Sequence, residues 1–261
     1  MTGGGVAGGA VAGSRRPSLG AGVAAVYAGQ LSRARVARGP LLFVATLQSL
    51  GILLLLRGVV HTGHVTASAV VAGSTVLVVA FVALNLLAQR FGALRASGAL
   101  DYYAALPVPA AAVVLGTAAS YATFTVPGAL VTAVVGALVY GLPLAHLWLA
   151  LPTVLAAGVA LSGVGAALGL AMPRPELATV AGQLGMTAVL FLGVIPPGNL
   201  PAVLRVLRQA VPSTYAVDAL AAALRGTPTW GGVLWRLGAS LAYGVVALAV
   251  SGALFRRAAA R

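Results

Sequence analysis

The stretch TASAVVAGSTVLVVAFVALNLL, residues 66–87, decides the fold class. It carries no charge, and a helix of about 20 apolar residues crosses a bilayer core of about 30 Å. Five similar runs surround it, at residues 40–56, 108–140, 144–171, 177–195 and 233–255. Only 7% of the 261 residues are charged, whereas about 25% is usual for a soluble domain. The sequence therefore predicts an all-α integral membrane protein with six transmembrane helices.

The composition excludes several classes of chemistry. All 16 basic residues are arginine, so neither a GxxxxGK[ST] phosphate-binding loop nor a lysine Schiff base is available. Cysteine is absent, which removes thiolate catalysis and disulfides. His61 and His64 lie three residues apart, but two ligands make a poor metal site. We therefore predict neither an enzyme nor a resident metal.

The distribution of charged residues also indicates the membrane environment of the chain and its orientation in the bilayer. No predicted span holds a carboxylate, whereas ion-coupled carriers usually have one inside the membrane. The net charge of +13 suits arginines facing anionic lipid headgroups, and nothing resembles a module that reads nucleic acid bases. With both termini in the cytoplasm, eleven arginines fall inside and five outside, as the positive-inside rule requires.

The N-terminal region is predicted to lie outside the membrane core. Residues 1–18 are mostly small and are predicted to be a disordered tail. Residues 19–39 are predicted to form an interfacial helix, because Ser18 can cap it and Val23 and Val26 share a helical face. The six-helix transmembrane domain is then expected over residues 40–261.

The third and fourth runs carry signs of tight packing. The run 108–140 is too long for a straight crossing, because its 33 residues span roughly 50 Å. Its start must lie in the inner interface or the helix must tilt strongly, and Pro127 can bend it. Rows of small residues let helices approach closely. These rows are Gly128, Thr132 and Gly136 in the third run and Gly158, Ser162, Gly165 and Gly169 in the fourth.

Few polar side chains interrupt the spans. The ones that are candidates for lining a transport pathway are Gln48, Asn85, Gln183 and Thr187. Gln183 and Thr187 are four residues apart and should share a face. The alternative for each is a hydrogen bond that holds a neighbouring helix.

The inner loop, residues 89–109, has more structure than a simple connection needs. Its core reads RASGALDYYAALPVP from Arg95 to Pro109 and combines a short amphipathic stretch, two tyrosines and a proline stop. We predict a docking surface here.

The outer segment, residues 196–225, predicts two short helices that form a re-entrant hairpin. The first begins near Pro201, with its apolar face turned away from Arg205 and Arg208. The second covers residues 215–225 and carries Asp218 near its start. A carboxylate close to lipid needs a partner, so we expect Asp218 to bond backbone amides of residues 213–215 or one of three arginines. These are Arg205, Arg208 and Arg236.

Both segments resemble the permease subunits of ABC exporters with the type V fold, a family that includes drug-resistance, polysaccharide and teichoic-acid exporters. The inner loop is similar through Gly98-Ala99-Leu100-Asp101 and Leu106-Pro107-Val108. The outer segment is similar through Pro197-Gly198-Asn199-Leu200-Pro201 and through Pro212-Ser213-Thr214-Tyr215-Ala216-Val217-Asp218-Ala219-Leu220.

The resemblance implies a permease subunit that exports its substrate with energy from ATP hydrolysis in another polypeptide. A separate ABC ATPase would bind ATP and Mg²⁺, leaving this chain without a cofactor, and two permease copies or a paralogue would pair through spans one and five. Residues implied to face the ATPase are Arg95, Leu100, Asp101, Tyr102, Tyr103 and Leu106. Those implied at an outer gate are Leu204, Leu207, Tyr215 and Asp218.

The substrate implied is a lipophilic drug, a lipid or a glycan, and the location is the bacterial inner membrane. Two alternatives stay open: a scaffold or assembly subunit that does not transport, and a secondary carrier. An adjacent gene for an ATPase with a phosphate-binding loop would distinguish them.

Overall fold

The computed structural model describes residues 18–33, 38–59, 64–105, 108–194, 201–226 and 228–259. Every regular element among them is helical. The α-helices are α1 (Leu19–Arg33), α2 (Arg38–Val59), α3 (His64–Ala80), α4 (Leu87–Ala96), α5 (Ala99–Ala105), α6 (Ala110–Val139), α7 (Ala150–Ala171), α8 (Pro175–Val194), α9 (Ala202–Ala210), α10 (Pro212–Leu224) and α11 (Trp230–Ala259). A π-helical segment, Phe81–Leu86, joins α3 to α4. The predicted N-terminal tail lies almost wholly outside the described residues.

Within the described chain, four helices are long and apolar enough to cross a membrane. They are Ala67–Ala96, Leu147–Ala171, Pro175–Leu192 and Trp230–Ala258. α6 is a fifth if its two halves count as one span. The first predicted span falls in α2, whose apolar part, Phe43–Arg57, is shorter. The chain is a multi-pass membrane protein, and the count of six spans stays a prediction.

α6 bends by 45° between Ala110–Thr123 and Thr125–Val139. Pro127 has no backbone amide hydrogen to donate to the carbonyl of Thr123, which weakens the helix at this turn. The bend predicted from Pro127 is therefore confirmed. Before the bend, Gly116 lies against Val26 of α1, and after it, Gly136 lies against Leu53 of α2 and Val71 of α3.

α1 begins at Leu19, as the sequence predicts, and is described as far as Arg33. The Oγ of Ser18 accepts a hydrogen bond from the backbone amide of Ala21 at 3.3 Å, which confirms the cap. Val26 is buried against α6, where a Cβ added to Gly116 would lie 2.7 Å from that of Val26. Residues 34–37 lie outside the described residues and α2 begins at Arg38, so the interfacial helix over residues 19–39 stays a prediction.

The core centres on α3 and the π-helical segment, which are almost wholly buried. α2, α6, α7, α8 and α10 all pack against this helix. Its sequence is apolar on every side, as expected for a helix surrounded by others.

The glycines of the rows of small residues make close helix contacts, with Gly158 as the exception. A Cβ at Gly136 would lie 2.8 Å from Leu53 of α2, and one at Gly165 would overlap the carbonyl of Ala83 in the π-helical segment. At Gly158, by contrast, an added Cβ would meet only Val79, at 3.9 Å. Gly158 was predicted to belong to the contact row of α7, but the structure leaves open space beside it.

Two hydrogen-bonded arginines define the ends of the bundle. Arg95, at the end of α4, donates to the carbonyl oxygens of Leu170 and Met172 at 2.6 and 2.9 Å, where α7 ends. Arg208, in α9, donates to the carbonyl of Leu192 near the end of α8. Because α8 runs back from the end of α7, α5 and the α9–α10 pair lie at opposite ends. We call these the α5 end and the α10 end.

Candidate sites at the two ends of the bundle

A left-handed turn places α5 at the end of the bundle. α4 stops at Ala96, and Gly98 follows with φ of 70°. Glycine adopts this conformation without the steric cost that a Cβ would bring. The chain then starts a new helix, the seven-residue α5. A short helix thus occupies part of the inner loop, where the sequence shows a short amphipathic stretch.

Leu100 anchors α5 to the bundle. It is only 2% exposed and belongs to an apolar cluster with Leu94, Val113 and Phe255, from α4, α6 and α11. The resemblance implied that Leu100 faces the ATPase; the structure shows that its side chain is buried within the chain, and its role in docking stays a prediction. A seven-residue helix on the end of a bundle has one inward face, and the leucine occupies it.

The two tyrosines of α5 have different surroundings. Tyr103 is partly buried, and its hydroxyl accepts a hydrogen bond from Nε2 of Gln30 at 3.3 Å, which links α5 to α1. Tyr102 is 66% exposed, and its ring stands edge-on to that of Tyr103 at 5.7 Å. Tyr102 is therefore the predicted docking residue that the structure leaves accessible. The side chain of Asp101 and all of Leu106 lie outside the described residues.

Arg95 holds α4 and α7 together. Its two bonds satisfy carbonyls of the last turn of α7, which have no partner within the helix, and a cation is favoured at this end of the helix dipole. The sequence gave no sign of this contact, because the carbonyls are more than 70 residues away along the chain.

At the α10 end, Arg208 and Asp218 form a bidentate ion pair. Nη1 and Nη2 of Arg208 lie 2.9 and 2.5 Å from the carboxylate oxygens of Asp218, and Nε lies 2.9 Å from the carbonyl of Leu192. The arginine side chain is 10% exposed and the carboxylate side chain 33%. One guanidinium thus joins α8, α9 and α10.

This geometry corrects the predicted orientation of α9. The helix was expected to turn Arg208 away from its packed face, yet Arg208 is buried, while Val203 and Val206 are 71% and 68% exposed. An apolar face can point outward here because lipid or another protein can cover it. The expected arginine partner of Asp218 is found, and it is Arg208. The side chains of Leu204, Leu207 and Arg205 lie outside the described residues.

Asp218 sits in the middle of its helix. α10 begins at Pro212, earlier than the predicted residue 215, so Asp218 lies in the second turn and the dipole of the helix start does little for it. Thr214 donates its hydroxyl to the carbonyl of Arg208 at 2.7 Å and fixes the junction of α9 and α10. The ion pair therefore depends on tertiary structure.

A tyrosine pair covers the same junction. The rings of Tyr215 and Tyr243 stack at 5.6 Å, and the hydroxyl of Tyr215 donates to the carbonyl of Gln209 at 3.0 Å. Burial, followed by the influence of Tyr243, raises the pKa of Tyr215. This contact ties α9, α10 and α11 together.

The four pathway candidates do not form one cluster. Asn85 is buried in the π-helical segment and accepts a hydrogen bond from Nε2 of Gln89 in the next turn. Gln48 of α2 is exposed, and so are Gln183 and Thr187, which share a face of α8 as predicted. The structure therefore separates one structural amide from three accessible polar side chains. No group of three potential metal ligands occurs among the residues that the structure describes.

The comparison with known families agrees with this architecture. The profile of the ABC-2 type transporter family matches residues 26–224, from α1 through α10. The chain belongs to the ABC-2 type transporter family. Members are membrane components of transporters, which implies an ABC ATPase subunit as partner. No curated protein matches the chain.

Proposed function

We propose that this ABC-2 family chain is the permease subunit of an ATP-driven exporter and that α5 docks into the separate ATPase. The observation that supports this role is an exposed Tyr102 on a short helix that is fixed to its neighbours. Aromatic side chains are favoured anchors at protein interfaces. The chain has no lysine for a phosphate-binding loop, so the energy of ATP must come from the partner.

The anchoring of α5 supports a mechanical role. Leu100 fixes it to α4, α6 and α11, and Tyr103 fixes it to α1 through Gln30. At the preceding turn, Arg95 joins α4 to α7. A displacement of α5 by an ATPase would therefore move the ends of several helices together, since packed elements shift as units.

We propose that two copies, or this chain and a paralogue, pair through α2 and α8. Both helices expose large apolar side chains, for example Phe43 and Leu47 on α2 and Leu184 and Phe191 on α8. The exposed polar candidates Gln48, Gln183 and Thr187 lie on these same two helices. Such a mixed surface suits a pathway for a lipophilic drug, a lipid or a lipid-linked glycan. The membrane would be the bacterial inner membrane, with both termini in the cytoplasm.

At the α10 end, we propose an outer gate built from α9 and α10, with Asp218, Tyr215, Leu204 and Leu207 as its residues. The ion pair of Arg208 and Asp218 would hold the gate in position. Replacing Asp218 by Asn keeps the shape but removes the charge, so we expect ATP hydrolysis to continue while export falls. Normal export at normal expression would remove Asp218 from the gate.

The central experiment tests α5. The full chain is co-expressed with a candidate ABC ATPase, and co-purification and phosphate release are measured for wild type and Tyr102→Ala. Truncating an interface anchor typically weakens binding by about 2 kcal/mol, or roughly 30-fold. We expect that loss with Tyr102→Ala, and phosphate release only from the complex.

The matched control is Trp235→Ala, which removes an aromatic side chain of similar exposure from α11. It should leave co-purification unchanged. If Tyr102→Ala binds and couples like wild type, α5 does not dock through Tyr102. Phosphate release by the chain alone, with contaminants excluded, would end the permease proposal.

A further inference from the structure

A half-enclosed cavity of about 200 Å³ lies inside the single chain, apart from α2, α8 and the α9–α10 pair. Its walls come from four parts of the fold: the α3–π–α4 helix, α6, α7 and Leu248 of α11. The permease function proposed above makes no use of this space.

The cavity has an identifiable origin in the sequence. The cavity lies beside the bend in α6, and three of the seven α6 residues that line it are alanines, Ala118, Ala119 and Ala122. On α7 the facing position is Gly158, where an added Cβ would meet only Val79, at 3.9 Å. Small side chains on both sides of a bend leave a volume that nothing in the described chain fills.

The lining defines the chemistry of a ligand. Among the described residues, no charged or amide side chain lines the cavity, and the polar side chains that do are Tyr121, Thr125 and Ser162. The hydroxyl of Thr125 already donates to the carbonyl of Tyr121 within α6, at 2.9 Å. A glycan, a peptide or an ion would lose its hydrogen bonds in such a site. A hydrocarbon segment has no hydrogen bonds to lose, and it would gain dispersion contacts with the walls of the cavity.

The depth of the cavity indicates where such a hydrocarbon segment would come from. Val82 and Ala83, Ala122, Val159 and Leu248 lie near the middle of their helices, which is where a bilayer contains only acyl chains. Leu155 lines the cavity and is 47% exposed, so the opening faces the side of the bundle. For comparison, an apolar cavity of about 150 Å³ already binds a benzene-sized molecule.

We propose that this cavity binds the end of an acyl chain of a membrane lipid, which enters laterally between α6 and α7. The bound chain would contact the π-helical segment through Val82 and Ala83. The site is separate from the surfaces proposed for transport, so it can exist whether or not the chain exports anything.

The test uses the full chain in phosphatidylcholine nanodiscs that contain a lipid with a photoreactive diazirine at the end of one acyl chain. After irradiation, adducts are mapped by mass spectrometry. We expect labelling of the peptides around Ala122 and Leu155 to exceed by at least fivefold that of Val245 and Val246. These two residues of α11 are strongly exposed, and they lie near the middle of their helix, at a depth similar to that of the cavity.

Filling the cavity provides the decisive comparison. Gly158→Leu should reduce cavity labelling to the level of α11. Gly238→Leu, at an exposed glycine with open space around it, should leave the labelling unchanged. If Gly158→Leu does not yield folded protein, Ala122→Leu fills the same space from the other wall.

Three results would overturn the proposal. Equal labelling of the cavity and of α11 would mean ordinary contact with lipid only. Unchanged labelling in a folded cavity-filling variant would place the lipid elsewhere. Labelling by a small aromatic diazirine but not by the acyl probe would make the occupant a lipophilic molecule other than lipid.

Discussion

The two ends of the bundle fix their short helices by different means. At the α5 end, the buried Leu100 and a neutral hydrogen bond from Gln30 to Tyr103 hold one helix. At the α10 end, Arg208 makes three charge-assisted hydrogen bonds, two of them to Asp218, and holds two helices against a third.

The difference predicts different responses to force and mutation. Apolar packing has no preferred direction, so α5 can shift slightly and keep most of its contacts. A bidentate ion pair requires one geometry, and a single unpaired partner in a partly buried site is costly. In the exporter proposed above, the α5 end would transmit a gradual push, and the α10 end would separate only when the pair breaks.

The largest expected effect comes from breaking the ion pair. Arg208→Ala leaves a partly buried carboxylate and the carbonyl of Leu192 without their donor, so we expect a loss of about 3 kcal/mol in the free energy of unfolding. Denaturant unfolding in detergent measures it. Arg225→Ala, at an exposed arginine just after α10, should change stability by less than about 0.5 kcal/mol.

A double-mutant cycle shows whether the pair itself carries this energy. Arg208→Ala combined with Asp218→Ala removes both charges, so the double variant should be more stable than the sum of the single losses predicts, by at least about 1 kcal/mol. Additive losses would show that the two side chains act independently, and the contrast between the ends would disappear.

A smaller loss is expected at the α5 end. Leu100→Ala removes buried methyl groups, but the surrounding short helix can relax, so we expect about 2 kcal/mol, at the lower end for such substitutions. Leu234→Ala, at a leucine that is 65% exposed on α11, serves as the control and should be close to neutral in detergent. A neutral Leu100→Ala would mean that α5 is not anchored by this cluster.

The smallest effect separates the two tyrosines. Tyr103→Phe removes the acceptor of Gln30 and should cost roughly 1 kcal/mol or less, with faster hydrogen exchange in α1. Tyr102→Phe removes the hydroxyl of the exposed ring and should leave both stability and exchange unchanged. Equal behaviour of the two variants would refute the link between α1 and α5.

Sequence patterns predicted the features that depend on neighbours along the chain. The apolar runs mark α3, α6, α7, α8 and α11. Ser18 caps α1, and Pro127 bends α6. These features follow from hydropathy over one span, from a side chain close to its own backbone, and from a missing amide hydrogen. None of them requires knowledge of what lies across the bundle.

Contacts across the bundle were not predictable in the same way. The sequence offered three arginines for Asp218, and only the packing of α8, α9 and α10 selected Arg208 and turned it inward. Leu100 and Tyr102 are two residues apart in one motif, yet one is buried and the other exposed. Each outcome depends on which helices surround a short element.

The small residues of α7 show most clearly that contacts across the bundle cannot be predicted from local sequence. Gly158 and Gly165 belong to one row in the sequence and have the same local propensity. At Gly165 the π-helical segment approaches so closely that a Cβ would overlap the carbonyl of Ala83, whereas Gly158 lines a cavity beside α6. The sequence by itself determined where helices of membrane length lie and where one of them bends. Only the tertiary structure decided which small residue makes a contact and which leaves a space, because that depends on distances between helices that are far apart in the chain.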